Sequence, residues 1–113
     1  MEKTWILSLR RLQAEHAKWM RRNFGGHIEP WRTLLGLVEE LGEIAHAFLK
    51  RRDGIRVSED HLTKIRDGTG DLIIFLAGFA TTMGFDLEDA VGETWDKVKR
   101  RDWRKHPNDG RRK

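Results

Sequence analysis

The chain has 113 residues, 38% of them hydrophobic and 35% charged, with a formal net charge of +4; this allows one domain with a modest core under a heavily charged surface. The absence of cysteine excludes disulfides, thiolate metal sites and cysteine nucleophiles. No apolar window reaches membrane length and no signal-peptide pattern opens the chain, so a cytoplasmic protein with no membrane partner is expected.

"TWILSLRRLQAEHAKWMRRNF" places Trp5, Leu9, Leu12, His16, Trp19 and Phe24 along one side of a first helix. "FGGHIEPW" reads as a loop through its glycines and proline. "WRTLLGLVEELGEIAHAFLKRR" predicts a second helix, with Leu34, Leu37, Val38, Leu41, Ile44, Ala45 and Phe48 recurring at helical steps. "DGIRVSED" interrupts the pattern, and Ser58 is the expected N-cap of a third helix running from about His61 to Met83. After "MGF", Asp86 and Asp89 form a capping-box arrangement for a fourth helix, which carries Leu87, Ala90, Val91, Trp95 and Val98 and frays near His106 and Pro107. Residues 1–106 thus make a single domain, and residues 107–113 a basic disordered tail.

No segment alternates with a period of two, so the fold expected is an all-α four-helix bundle. The third helix is apolar nearly all round from Leu72 to Ala80, which predicts a second subunit as its cover. Trp31, Trp95 and Trp103 are read as core or interface residues. The terminal "KVKRRDWRKHPNDGRRK" concentrates the basic excess. A solvated tail, attraction of a phosphate and contact with a nucleic acid all fit it.

The acids are arranged more tellingly. Glu40 and Glu43 lie roughly 60° apart around the second helix, at one flank of its apolar face, with Glu39 further toward solvent. Gly36 and Ala47 fall on the same strip, leaving room for an approaching group. On the third helix Asp67 and Asp71 are one turn apart and share a face. Asp71 directly precedes the uncharged run to Met83 and is expected to be at least partly buried. Two acid pairs beside packing surfaces call for a cation, either Lys/Arg partners or a metal. An all-oxygen set suits Mg²⁺ or Mn²⁺, ions that serve phosphate chemistry. A solvated acidic face is the plainer alternative for Glu39, Glu40 and Glu43, and a helix-dipole role for Asp71.

"EELGE" on one helix, "GDLIIFLAG" on the next and "WDKVKRRDW" near the end together resemble the MazG-like family of all-α nucleoside triphosphate pyrophosphohydrolases. The likeness covers roughly Trp31 to Trp103. It implies an Mg²⁺-dependent hydrolase that cleaves an NTP or dNTP between the α- and β-phosphates, in a homodimer or homotetramer. The family motif is EExxE, a spacer, then ExxD. Glu39, Glu40 and Glu43 match its first part and Asp71 its last residue. By this resemblance Glu40, Glu43 and Asp71 are metal ligands, and Glu39 binds a further metal or orients the attacking water. Where the motif has its second-part glutamate this chain has Gly68, and Asp67 is the substitute ligand expected there. Gly68 and Gly70 would ease the needed backbone shift, and Gly70 would let a neighbouring helix or substrate come close. Lys97 and Arg101 have the spacing of the family's phosphate-contacting pair, with Asp96 just before them.

On the first helix His16, Trp19 and Asn23 offer a ring for stacking and polar groups for a base edge. His46 is either a supporting group behind the acids or a surface residue. Two other functions stay open: a catalytically weak nucleotide-binding or regulatory relative, suggested by Gly68, and, with less support, a basic helical nucleic-acid binder.

Overall fold

In a computed structural model of the chain, residue 5 and residues 8–111 are described. They contain four α-helices and no strand: α1 (Leu9–Phe24), α2 (Pro30–Asp53), α3 (His61–Met83) and α4 (Leu87–Val98). The all-α expectation holds, and α3 has the predicted bounds.

The ends of the helices follow their capping chemistry. α1 starts at Leu9 because the Ser8 hydroxyl accepts the Arg11 N–H at 3.1 Å; Trp5 therefore lies before the helix rather than on its first turn. Pro30 opens α2, where its missing N–H costs nothing, and Gly54 ends it in the left-handed conformation at φ 67°. α3 is capped by Asp60, not by Ser58. The Asp60 carboxylate accepts the Thr63 N–H at 3.0 Å and the Thr63 hydroxyl at 2.7 Å, two bonds that Ser58, two residues further out, does not make. Asp86 caps α4 as expected, accepting the Asp89 N–H at 2.9 Å.

α4 stops at Val98, well short of the predicted fraying point. The chain then doubles back in a hydrogen-bonded loop. The His106 N–H donates to the Asp102 carbonyl at 2.8 Å, Gly110 N–H to His106 at 2.7 Å, and Asp102 N–H to Gly110 at 2.8 Å. Gly110 is buried with φ 70°. A Cβ there would lie 2.9 Å from the Trp103 ring, so only glycine fits this return. Residues 107–110 are thus part of a folded loop rather than a disordered tail; Arg112 and Lys113 lie outside the described residues.

α3 is the hub. It packs against α1, α2 and α4, α1 also meets α4, and α2 touches α3 alone among the helices. The buried core is small: Ala77, Ala80 and Leu87, flanked by Leu9, Leu12 and Leu76. Polar contacts reinforce the α1–α4 corner. The Arg10 guanidinium reaches Asp86 at 3.2 Å, Glu88 at 3.2 Å and Asp89 at 2.6 Å. The Gln13 amide donates to the Phe85 carbonyl at 2.9 Å and accepts the Leu87 N–H at 2.8 Å. Trp31, Trp95 and Trp103 are all more than half exposed, so none belongs to a core within one chain. Among the described residues no single helix is long and apolar enough to cross a membrane.

Candidate functional site

The contact between α2 and α3 leaves a hollow of about 550 Å³ toward the loop that joins them. Its floor is made of small residues, Ala47 from α2 and Gly68 from α3, both buried. Around it stand Glu39, Glu40 and Glu43 from α2 and Asp67 and Asp71 from α3. Both predicted acid groups therefore converge on one space. Helical spacing explains this: each helix presents its acids within a turn of one another, and the two helices pack with those faces adjacent.

Among the described residues, none of these five carboxylates has an ion-pair partner. Their mutual repulsion registers at the centre of the group. Partial loss of water raises the Glu40 pKa, and the negative charges of Glu43, Asp71 and Glu39 push it up further. Lys64, one turn before Asp67, is the cation facing the hollow; its ammonium pairs with Glu59 at 2.9 Å and holds that carboxyl below the usual range. His61 is buried behind them. Its Nε2–H donates to the Ile55 carbonyl at 3.0 Å, which turns Nδ1 toward Glu59 at 4.0 Å.

Three expectations about this site need correction. Asp71 is exposed rather than partly buried, because it stands on the rim of an open hollow and stays in water. Gly70 has nothing within 4 Å of where its Cβ would be; the close approach is at Gly68, where a Cβ would lie 2.7 Å from Ile44 Cγ1. Gly36 is not part of the open strip, since the Phe75 ring packs directly against it. Sequence reasoning missed Glu59, His61 and Lys64. The spacing of Lys64 from Asp67 and Asp71, by three and seven residues, already placed it on their face. His61, the first residue of α3, stands three residues before Lys64 on the same face, whereas Glu59 reaches the hollow through the turn of the α2–α3 loop, which no periodicity encodes. His46 is exposed and lines the hollow beside Glu43.

The other predicted residues lie elsewhere. Lys97 and Arg101 meet in a separate hollow of about 520 Å³, with Arg100 and, brought back by the Gly110 turn, Arg111. It shares no residue with the acidic one. Asp96 pairs with Lys99 at 3.1 Å and Arg100 at 3.0 Å. His16 and Trp19 line a third hollow with Leu12 and Ile74, their rings 5.8 Å apart. Asn23 does not line it and instead donates its amide to the Trp19 carbonyl at 2.8 Å. In one chain, then, the acids form one group and the candidate phosphate and base contacts form two others.

The donor set suits a hard divalent cation: five carboxylates on two adjacent helices, without an ion-pair partner among the described residues. Among the described residues no three His, Asp or Glu side chains stand close enough to hold an ion as they are. Exposed Glu39, Glu43, Asp67 and Asp71 have the freedom to turn inward.

Residues 29–106 match the model of the MazG nucleotide pyrophosphohydrolase domain. That segment holds α2, α3, α4 and every acid of the hollow. No curated protein and no solved structure gives a significant match.

Proposed function

The chain belongs to the MazG nucleotide pyrophosphohydrolase domain family, and on that premise we propose that it hydrolyses a nucleoside or deoxynucleoside triphosphate to the monophosphate and pyrophosphate. The observation that carries this reading is the meeting of Glu39, Glu40, Glu43, Asp67 and Asp71 around one hollow, none of them in an ion pair among the described residues. Such a space repels a phosphate chain unless a cation accompanies it.

Glu40, Glu43, Asp67 and Asp71 would hold Mg²⁺, with Mn²⁺ as the substitute. When bound, the ion supplies the positive charge that lets a triphosphate enter and its phosphoryl oxygens be polarised. The rest falls to the chain's own groups. Lys64 faces the phosphates from α3 and offsets the charge that builds on the departing pyrophosphate. Glu39, on the outer edge of the group, orients a water toward the α-phosphorus and accepts its proton as the new P–O bond forms. The bond from the α-phosphorus to the bridging oxygen breaks, and pyrophosphate leaves with that electron pair. Lys97 and Arg101 are kept as phosphate contacts only for a ligand that reaches the basic hollow.

The test is incubation with each NTP and dNTP plus Mg²⁺, measuring pyrophosphate. Release that Glu43→Gln abolishes is the expected result; no release from any nucleotide overturns the enzyme reading. A second reading, a relative that binds nucleotide without turnover, is favoured by Gly68, whose place in the motif has no room for a glutamate. It predicts nucleotide and Mg²⁺ binding in a chain that releases nothing.

A further inference from the structure

The chain shares out its charges unevenly. Residues 97–113 hold nine of its 22 Lys and Arg but only two of its 18 Asp and Glu. The remainder is therefore net acidic, although the whole carries +4. A basic block of this kind is a disordered arm in many proteins; here residues 102–110 form a hydrogen-bonded loop.

That loop builds a surface. Its closure on Gly110 sets Arg111 beside Lys97, Arg100 and Arg101, and these four cations line a hollow of about 520 Å³ that no acid enters. The acids nearby are engaged elsewhere. Asp96 pairs with Lys99 and Arg100, Asp102 accepts the Arg104 and Lys105 N–H groups, and Asp109 accepts the Arg111 N–H at 2.9 Å. Among the described residues Lys97, Arg101 and Arg111 have no ion-pair partner. The Trp103 ring lies against Gly110 and is still 56% exposed.

Two features choose the ligand. Lys99, Arg104 and Lys105 carry the positive charge beyond the hollow along the same segment, which suits a run of phosphates better than one small anion. An open indole beside cations is a stacking platform for unpaired bases, whereas the bases of a duplex are already stacked on one another. We propose that the basic hollow and Trp103 together bind a single-stranded nucleic acid, its phosphates on the cations and a base on the indole. This surface shares no residue with the acidic hollow, and α4, which carries Lys97, does not pack against α2. The five carboxylates repel the polymer, so the acidic hollow stays open to its own ligand.

The test uses the full chain in EDTA without nucleoside triphosphate, so its outcome is independent of the hydrolase reading. Fluorescence anisotropy of a labelled oligothymidylate of about 12 nucleotides is the readout. Binding at about 50 mM salt is expected to weaken about fiftyfold by about 200 mM, as for roughly four neutralised phosphates. Arg101→Gln combined with Arg111→Gln should make the salt slope shallower by about 1.4. Trp103→Leu should weaken binding at least about fivefold with the slope unchanged. Far-ultraviolet circular dichroism checks that each variant folds, and the arginine pair, on the surface, carries the test if Trp103→Leu does not. No binding at the lower salt overturns the proposal. So does binding that either folded variant leaves unchanged, since the strand then lies elsewhere or is held by charge alone. Displacement of the strand by inorganic triphosphate at equal phosphate concentration overturns it too and assigns the hollow to a small anion.

Discussion

Ile44 occupies the space that any side chain at position 68 would need: a Cβ on Gly68 would lie 2.7 Å from Ile44 Cγ1. The glycine is therefore a packing device that lets α3 sit close on α2, and it sets the distance between the two acid groups. It also explains the departure from the family motif. With Ile44 in place no glutamate fits at 68, and Asp67 is the α3 carboxylate left to join Asp71 at the hollow.

Gly68→Ala is expected to lower stability in urea denaturation. Overpacking of this kind costs about 1–3 kcal/mol, and the helix preference for alanine offsets at most about 1 kcal/mol. Gly68→Glu, although it restores the motif, should cost more. In an Ile44→Ala background the penalty of Gly68→Ala should vanish; additive losses would show that the two positions are not coupled.

Asp67→Asn is expected to weaken Mg²⁺ binding by about tenfold in calorimetric titration, equivalent to about 1.4 kcal/mol. Unchanged affinity and turnover would mean that the motif acids Glu40, Glu43 and Asp71 suffice. Lys64→Met is expected to raise KM for the nucleotide by a similar factor of about ten, while Lys97→Met, in the separate basic hollow, should change it less.

His16 gives the fold a pH dependence near neutrality. Its ring lies against Gly78, its Nδ1 is buried without a hydrogen-bond partner among the described residues, and burial lowers its pKa below 6.5. As pH falls through 6.5 the unfolded chain takes up this proton before the folded one, so stability drops on acidification until the folded pKa is passed. His16→Leu should flatten that part of the profile in thermal melts. An unchanged profile would assign the dependence to another group.

Asp86 acts in a lower range. The Asp89 N–H, then the Arg10 guanidinium, hold its carboxyl below 3.8 in the folded chain. Its contribution is present above that value and is lost as pH falls through the folded pKa. Asp86→Ala should melt earlier than the natural chain at pH 7, and the gap should close in strong acid.

The helices, and the pairing of acids on two of them, are legible in the amino-acid order alone. Three- and four-residue periodicity marks the body of each helix, and the bounds of α3 and the Asp86 cap follow from local chemistry, whereas the start of α1, the Asp60 cap and the end of α4 do not follow from it. The motif acids and Asp67 were legible because helical spacing converts sequence distance directly into a shared face. What each face meets emerges only once the helices are packed together. Ile44 and Val38 belong to one apolar pattern in the sequence, yet Ile44 locks onto Gly68 while Val38 is 64% exposed. Likewise Lys97 and Arg101 keep their spacing but stand in a different hollow from the acids, and Glu59 enters the site only through a loop. The physical reason is the same in each case: periodicity specifies which residues share a side of one helix, whereas the neighbour on that side depends on contacts between segments far apart in the chain.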